Sequence, residues 1–552
     1  MGHRGEPVLP ARPACGRENI RMVTTIEPEQ TGAGPAPDVA VAVAQVSAVR
    51  LGIVVFMGGA GTLATEIAAS RLLAPFFGSS TVVWANIIGL ILIYLSVGYW
   101  VGGRVADRWP HKKVLGSIIL VAAVSVAILP FIARPILEVA VTGLDALSAG
   151  AVVGSFFAAL ALFAIPITLL GMVAPFAIRL SISTIETAGS TAGRLYALST
   201  VGSIVGTFIS AIITISLIGT QRTMVGAAVL LAFSAALLMG PKWQLVTVAF
   251  VAILAIPAGS IKASDGLIFE TESTYQYIQV VERDTGARSL RLNEGVAAHS
   301  VWREDTVLTG GYWDTFLAVP NLLNRPVESM LVIGSSGGTI SRAFGEFYPD
   351  VLIDGVEIDP DVTEAGREYL GLSDNPNLTV VDADGRPFLR STDSTYDIII
   401  VDAYKQPYIP FYLATEEFFE LTRDALNPGG VLALNVAAVP GDDRLARYLA
   451  STVRSVYPQT WAWRPLRFNE LLLGFEQPVS RDELVERATG YAPEIAMLGE
   501  LFRDGVSEAQ QVEDPLTDDR APVEWLTDQM IIDFMAEGGG GLDEDFLPTR
   551  PG

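Results

Sequence analysis

The residues whose types and spacing could do chemistry lie between 330 and 404: a glycine-rich turn and three carboxylates. The turn is Gly334-Ser335-Ser336-Gly337-Gly338, set between an apolar run and a helical pattern. Gly334, Gly337 and Gly338 let backbone approach a ligand with no Cβ in the way. The free N–H groups that open the following helix suit a carboxylate or other anion. Glu357 ends the next apolar run, about twenty residues beyond the first glycine, where an acid can accept both hydroxyls of a ribose. Asp384-Gly385 follows a third run, and Asp402 closes a fourth, Tyr396-Asp397-Ile398-Ile399-Ile400-Val401. Strand, tight turn, helix, strand, acid is the order of a nucleotide-binding α/β unit. The turn alone is a weak signal; with Glu357 and Asp384 at their spacings it becomes a strong one.

These groups need a sheet to align them. Beyond Asp402 the pattern predicts a helix over 415–426 ended by Asn427-Pro428-Gly429-Gly430, a buried strand over 431–436 and an amphipathic helix over 444–457. Two closing strands, 461–466 and 471–475, complete the count. A seven-stranded, mostly parallel sheet with helices on both faces fits this order. Its domain spans 326–480, with a helical extension over 481–535 and a flexible, glycine-rich tail over 536–552. Before it, 262–325 switches to short alternating runs with turn residues such as Asp284-Thr285-Gly286, which predicts a small antiparallel β domain. A helical pattern over 312–323 leads into the nucleotide unit.

The first half is different in kind. Residues 1–48, rich in Pro, Gly, Ala and Glu, read as a disordered tail. Residues 49–261 hold seven apolar runs, at 51–69, 82–101, 114–137, 149–171, 195–218, 224–238 and 246–261, the last two the weakest. A bilayer span needs about twenty such residues. Gly202, Gly206 and Ser210 are small residues at helical spacing, which lets helices approach closely. The loop over 104–113 is the densest in Lys and Arg and should face the cytoplasm, which puts the N-terminal tail there too. Glu66 and Arg71 sit at the end of the first run, either as a transport or gating pair or as an ion pair that holds helix ends.

Composition agrees with two unlike halves. Hydrophobic residues make up 50% of the chain and mean hydropathy is +0.41, high for a soluble protein. Residues 1–261 carry 15 Lys/Arg against 10 Asp/Glu, net +5, and the remainder 22 against 50, net −28. So acidic a half would repel phosphates, which excludes nucleic acid as a partner. It could attract a cationic substrate, or the acid simply solvates the surface. The single cysteine, Cys15, rules out a disulfide framework, and His3, His111 and His299 are too scattered for a metal site.

On these residues the C-terminal half resembles the polyamine aminopropyltransferases, the spermidine synthase family. The resemblance covers about 265–480 and rests on Tyr275-Gln276-Tyr277-Ile278-Gln279-Val280, the glycine turn, Val356-Glu357-Ile358-Asp359, Asp384-Gly385 and the run ending in Asp402. The first half is similar to the multi-span region fused to such domains in some bacterial proteins. Gly98-Tyr99-Trp100-Val101-Gly102-Gly103-Arg104-Val105-Ala106-Asp107-Arg108 is also similar to the loop between spans two and three of major-facilitator transporters. The fold implied is a multi-span α-helical membrane domain plus an α/β Rossmann-like methyltransferase fold with a small N-terminal β domain.

The resemblance implies transfer of an aminopropyl group from decarboxylated S-adenosylmethionine to an amine, with no tightly bound cofactor. It implies that Asp402 takes the amine proton. Gln276 would contact the amino-acid part of the nucleoside, Glu357 its ribose and Asp384 its adenine, while Tyr312 and Asp314 fall near positions that line the amine pocket. A homo-oligomer through the soluble domain is implied in the same way. Two positions depart from the family: Gly337 stands where an aspartate usually binds the aminopropyl ammonium, and Lys405 where another binds the diamine. A methyltransferase that uses S-adenosylmethionine itself, or a transporter or sensor with a nucleoside-binding regulatory domain, are the alternatives. The aromatic, Pro-rich stretch 404–412 reads as a lid or as local packing. Seven spans would place 262–552 outside the cell, whereas the cytoplasmic source of the nucleoside favours a cytoplasmic domain, which one span fewer would allow.

Overall fold

The structure is a computed structural model that describes residues 47–78, 81–145, 150–182, 184–256, 259–293, 297–405, 408–509 and 513–536. The two tails expected over 1–48 and 536–552 lie almost wholly outside these residues. The described residues cluster as one compact unit.

Apolar sequence of span length folds as helices: α1 (Ala48–Phe77), α2 (Thr81–Arg108), α3 (Lys112–Asp145), α4 (Gly150–Gly171) with its continuation α5 (Val173–Ser181), α6 (Ala188–Phe208) and α7 (Ile215–Met239). A π-helical turn, Ile209–Thr214, joins α6 to α7, and Gly219, at φ 81°, breaks the helix beyond it. Five helical stretches are long and apolar enough to cross a membrane, the last, Ala188–Met239, counted across that break. The seventh expected run is instead a short helix, α8 (Gln244–Ile253). Ten residues rise about 15 Å, half of a hydrocarbon core.

Glycines set how these helices pack. A Cβ on Gly202 would lie 2.0 Å from the carbonyl oxygen of Phe56, and one on Gly206 2.2 Å from that of Ala60. Backbone therefore touches backbone, and α6 runs parallel to α1. Gly98 and Gly102 meet Thr168 and Met172, and Asn86 bonds Ser155, so α2 and α4 also run parallel. Gly116 of α3 meets Met239 of α7. One end of the bundle thus gathers the ends of α2, α5 and α7 and the start of α3, with Arg179 paired to Asp107 at 2.9 Å. The other end meets the rest of the chain: Arg71 donates to the carbonyl of Thr274, Ser216 bonds Thr274, and Lys262 lies over the Phe76 ring.

That remainder opens with a four-stranded antiparallel sheet, β1 (Leu267–Glu272), β2 (Tyr277–Glu282), β3 (Arg288–Leu292) and β4 (Ala298–Trp302), in that spatial order. Three of these strands show in the alternation of the sequence and β4 does not. Residues 312–323 form two 3-10 turns, Tyr312–Ala318 and Pro320–Leu322, rather than the expected helix. Pro320 lacks the N–H an α-helix would use there.

The second sheet has eight strands, one more than expected. They are β5 (Ser329–Ile333), β6 (Leu352–Glu357), β7 (Leu378–Asp382), β8 (Tyr396–Val401), β9 (Leu426–Ala437), β10 (Gln459–Trp463), β11 (Asn469–Phe475) and the two-residue β12 (Ser507–Glu508). Their order is β12-β10-β11-β9-β8-β5-β6-β7, parallel from β9 to β7 and antiparallel at the β10–β12 edge. Asn427-Pro428-Gly429-Gly430 does not end an element before β9; it lies inside the strand, at an irregularity opposite Tyr396 and Ile398. Helices α9 (Thr339–Phe347), α10 (Pro360–Tyr369), α11 (Gly385–Ser391), α12 (Glu416–Asp424) and α13 (Arg444–Val456) cover the sheet. The apolar β5 and β8 lie at its centre, and their side chains divide between a core on each face. The C-terminal extension adds α14 (Arg481–Arg487), α15 (Ala496–Gly505) and α16 (Val523–Ala536).

Candidate active site

The chain leaves β5 toward β6 and β7 on one side and later places β8 and β9 on the other. The carboxyl end between β5 and β8 is therefore the topological switch point, where α/β sheets open a crevice for ligands. Gly334 sits there at φ 87°. A Cβ on it would lie 2.5 Å from the carbonyl oxygen of Asp402, so only glycine lets the tips of β5 and β8 close on each other. Asp402 N–H donates to Ile333 O at 2.9 Å and Gly334 N–H to Val356 O at 2.9 Å, which fixes three strand tips side by side. Gly338, at φ 83°, then starts α9.

Asp402 is partly exposed at this edge. Asn435 Nδ2 donates to its Oδ1 at 2.8 Å and Tyr312 OH to its Oδ2 at 3.0 Å. Desolvation pushes its carboxyl up to about 7, against the pull of those two donors. Asn469 Nδ2 in turn holds Asn435 Oδ1 at 2.9 Å. Tyr404 OH bonds the carbonyl of Asn435, so β9 is tied to the loop that carries Asp402.

Glu357, at the tip of β6, is buried on the other side of the glycine turn. Its oxygens accept Ser336 N–H at 2.9 Å and Asp359 N–H at 3.2 Å, and burial pushes its carboxyl up to about 7. Gln276 reaches the same corner through Asp359, which accepts its Nε2 at 3.1 Å and Ser273 Oγ at 2.6 Å. Asp384 follows β7 and caps α11 by accepting Arg386 N–H at 3.0 Å. The Tyr412 hydroxyl lies on it; burial first, and then that carboxylate, push Tyr412 up to about 12. Gly385 lies flush on Ile333, where a Cβ would come within 2.4 Å of Cγ2.

One residue is not brought to this group. Both oxygens of Asp314 are spent on its own loop, accepting Thr309 N–H at 3.1 Å, Thr309 Oγ1 at 2.9 Å and Gly310 N–H at 2.7 Å. Of the stretch 404–412, residues 406 and 407 lie outside the described residues, and Lys405 and Tyr408 pair as an isolated bridge. Lys405 is exposed, with Arg71 and Glu524 as its charged neighbours.

Residues 311–462 match the Spermine/spermidine synthase domain. The chain is 34% identical over 314 residues to a probable polyamine aminopropyl transferase of Bifidobacterium longum, covering 50% of this chain and 68% of that one. It is 30% identical over 204 residues to the polyamine aminopropyltransferase of Vibrio vulnificus, covering 36% and 67%. The chain belongs to the polyamine aminopropyltransferase family. A probable spermidine synthase structure from Corynebacterium glutamicum shares 18% identity with it, at a TM-score of 0.36, over 46% of this chain and 98% of that one.

For this aminopropyltransferase site, three contributors escape a reading by motif: Asn435, Ser273 and Arg71. Asn435 is a polar residue in the apolar run 431–436, which is the one signal it leaves in sequence. Ser273 meets Asp359 across 86 positions and leaves none. Arg71 comes from α1, and Asp359 and Glu272 are its charged neighbours.

Proposed function

We propose that the protein is a membrane-anchored transferase that moves an aminopropyl group from decarboxylated S-adenosylmethionine to a small amine. The observation that carries this is Asp402, held by Tyr312 and Asn435 beside the glycine turn with Glu357 on its other flank. In the reaction the amine nitrogen attacks the aminopropyl carbon next to the sulfonium. A carbon–nitrogen bond forms, the carbon–sulfur bond breaks with its electron pair going to sulfur, and the amine's proton passes to Asp402. The sulfonium is a good leaving group, so alignment in a dry site supplies much of the rest. Glu357 would take the ribose hydroxyls, Asp384 the adenine and Gln276 the donor's tail, with the turn at Gly337 and Gly338 alongside. Tyr312 would line the acceptor side directly, and Asp314 would serve it by shaping the loop before Tyr312.

A second reading is supported by one specific feature. The place where the family's aspartate would take an ammonium is filled: a Cβ on Gly337 would meet Leu370 Cδ1 at 2.4 Å, and Gly337 N–H donates to Ser300 Oγ at 2.8 Å. Loss of that carboxylate suits S-adenosylmethionine itself, and hence methyl transfer. Product mass separates the two. Full-length protein in detergent is incubated with each donor and a panel of mono- and diamines. Gain of an aminopropyl group supports the first reading, gain of a methyl group the second, and no product with either donor removes both.

The bilayer reading is supported by the outer surface of the bundle. Leu92, Ile93, Phe131, Val139, Ile165 and Leu217 stand out from it between 51% and 76% exposed, a load of apolar surface that water does not tolerate. Trp100, Trp109 and Trp243 gather at the end away from the sheets, as in an interfacial aromatic belt. Assembly as a homo-oligomer is proposed from the family alone.

A further inference from the structure

We infer that the transferase domain stands on the outer face of the membrane, so that its site meets the acceptor amine outside the cytoplasm. This rests on the membrane reading above and on the path of the chain through the bundle. The chain runs toward the sheets along α1, α3 and α6 and away from them along α2, α4–α5 and α7, as the parallel α1–α6 and α2–α4 contacts and the Gly116–Met239 contact require. Met239 is then at the far end, and Lys262 is back at the near end over Phe76. The stretch 240–262 therefore makes a seventh traverse although α8 is too short to span as a helix. An odd number of traverses puts the start of α1 and the transferase domain on opposite faces.

The charges divide along the same line. Among the described residues, the far end carries Arg104 and Arg108 in the last turns of α2, Lys112 and Lys113 at the start of α3, Arg179 and Arg194 around the α5–α6 connection, Arg50 at the start of α1 and Lys242 after α7. That makes eight, against four toward the transferase domain: Arg71, Arg134, Arg222 and Lys262. Excess Lys and Arg in short connections marks the cytoplasmic side. The far end is then inside and the sheets are outside, contrary to the cytoplasmic placement expected from the source of the donor. The donor must accordingly reach the outer face before it reacts.

The test labels single cysteines in intact cells with a membrane-impermeant maleimide. Full-length protein carrying Cys15→Ser receives either Ser391→Cys, exposed at the end of α11, or His111→Cys, exposed between α2 and α3. Thr285→Cys, exposed in the β2–β3 turn, repeats the first position should Ser391→Cys fail to fold. The expected result is labelling at 391 and 285 in intact cells, and labelling at 111 at least tenfold higher after permeabilisation. Labelling at 111 in intact cells with 391 and 285 silent until permeabilisation overturns the inference. If all three wait for permeabilisation and the protein is recovered in the soluble fraction, the membrane reading has failed and the inference falls with it. The labelling does not depend on turnover, so either result leaves the aminopropyl-transfer reading to its own assay.

Discussion

Asp402 accepts from two neutral hydrogen-bond donors, Asn435 and Tyr312, and desolvation outweighs both, which leaves its carboxyl near 7. A base with that pKa is protonated and idle below it and free to accept a proton above it. Activity as kcat/KM should therefore rise with pH through about 7, and a rate that stays flat down to pH 5 contradicts the assignment. Asn435→Leu removes a donor that favours the charged form, so the carboxyl should titrate higher. A hydrogen bond to a charged group is worth about 1.5–3 kcal/mol, so the midpoint of the profile should move up by about one to two units. A variant slower at every pH with an unmoved midpoint shows Asn435 to be packing alone. Glu357, Asp384 and Asp402 were legible in sequence because each closes an apolar run at a spacing set by one strand–turn–helix unit. Asn435 was hidden because its partner comes from the adjacent strand, 33 positions away. Asp314 shows the converse: position near a pocket does not say where a carboxylate points, and here Thr309 and Gly310 take both oxygens.

At the level of elements, α1 does two things. Its glycine and alanine face packs backbone on backbone against α6, and its last turns reach the corner of Glu357 and Asp359 through Arg71. Gly206→Leu would force side-chain atoms into Ala60 O, and helix separation cannot relax without undoing the α1–α6 contact. The expected outcome is little folded protein in detergent, read by size exclusion; wild-type yield and melting temperature contradict it. Arg71 holds Thr274, next to the Ser273 that bonds Asp359, which in turn gives its N–H to Glu357. Arg71→Gln should therefore raise the donor KM several-fold while kcat changes little, and an equal loss in both contradicts a positioning role. The seven apolar runs were visible by length and composition, but not that the seventh would fold as a ten-residue helix. The 3-10 turns over 312–322 also escaped, because the spacing of Trp313, Phe316, Leu317 and Leu322 suits an α-helix until Pro320 is considered. Strand β12 was out of reach of any pattern, being two residues paired to β10.

The whole molecule joins a slightly basic apolar half to a half of net charge −28. On the bilayer reading the bundle's exposed leucines, isoleucines and phenylalanines lie in lipid, so the protein should stay in the membrane pellet through an alkaline carbonate wash and leave it only with detergent. Release by carbonate alone contradicts the bilayer reading. The acidic half should also draw a polycationic amine, and kcat/KM for a diamine should fall with added salt more steeply than for a monoamine. The most direct test of the central claim compares wild-type full-length protein with Asp402→Asn, using decarboxylated S-adenosylmethionine and the amine acceptor found by product mass. The account predicts that transfer of the aminopropyl group slows by about 10²–10⁴-fold while calorimetry shows the donor still bound. Transfer at an undiminished rate in Asp402→Asn would contradict it.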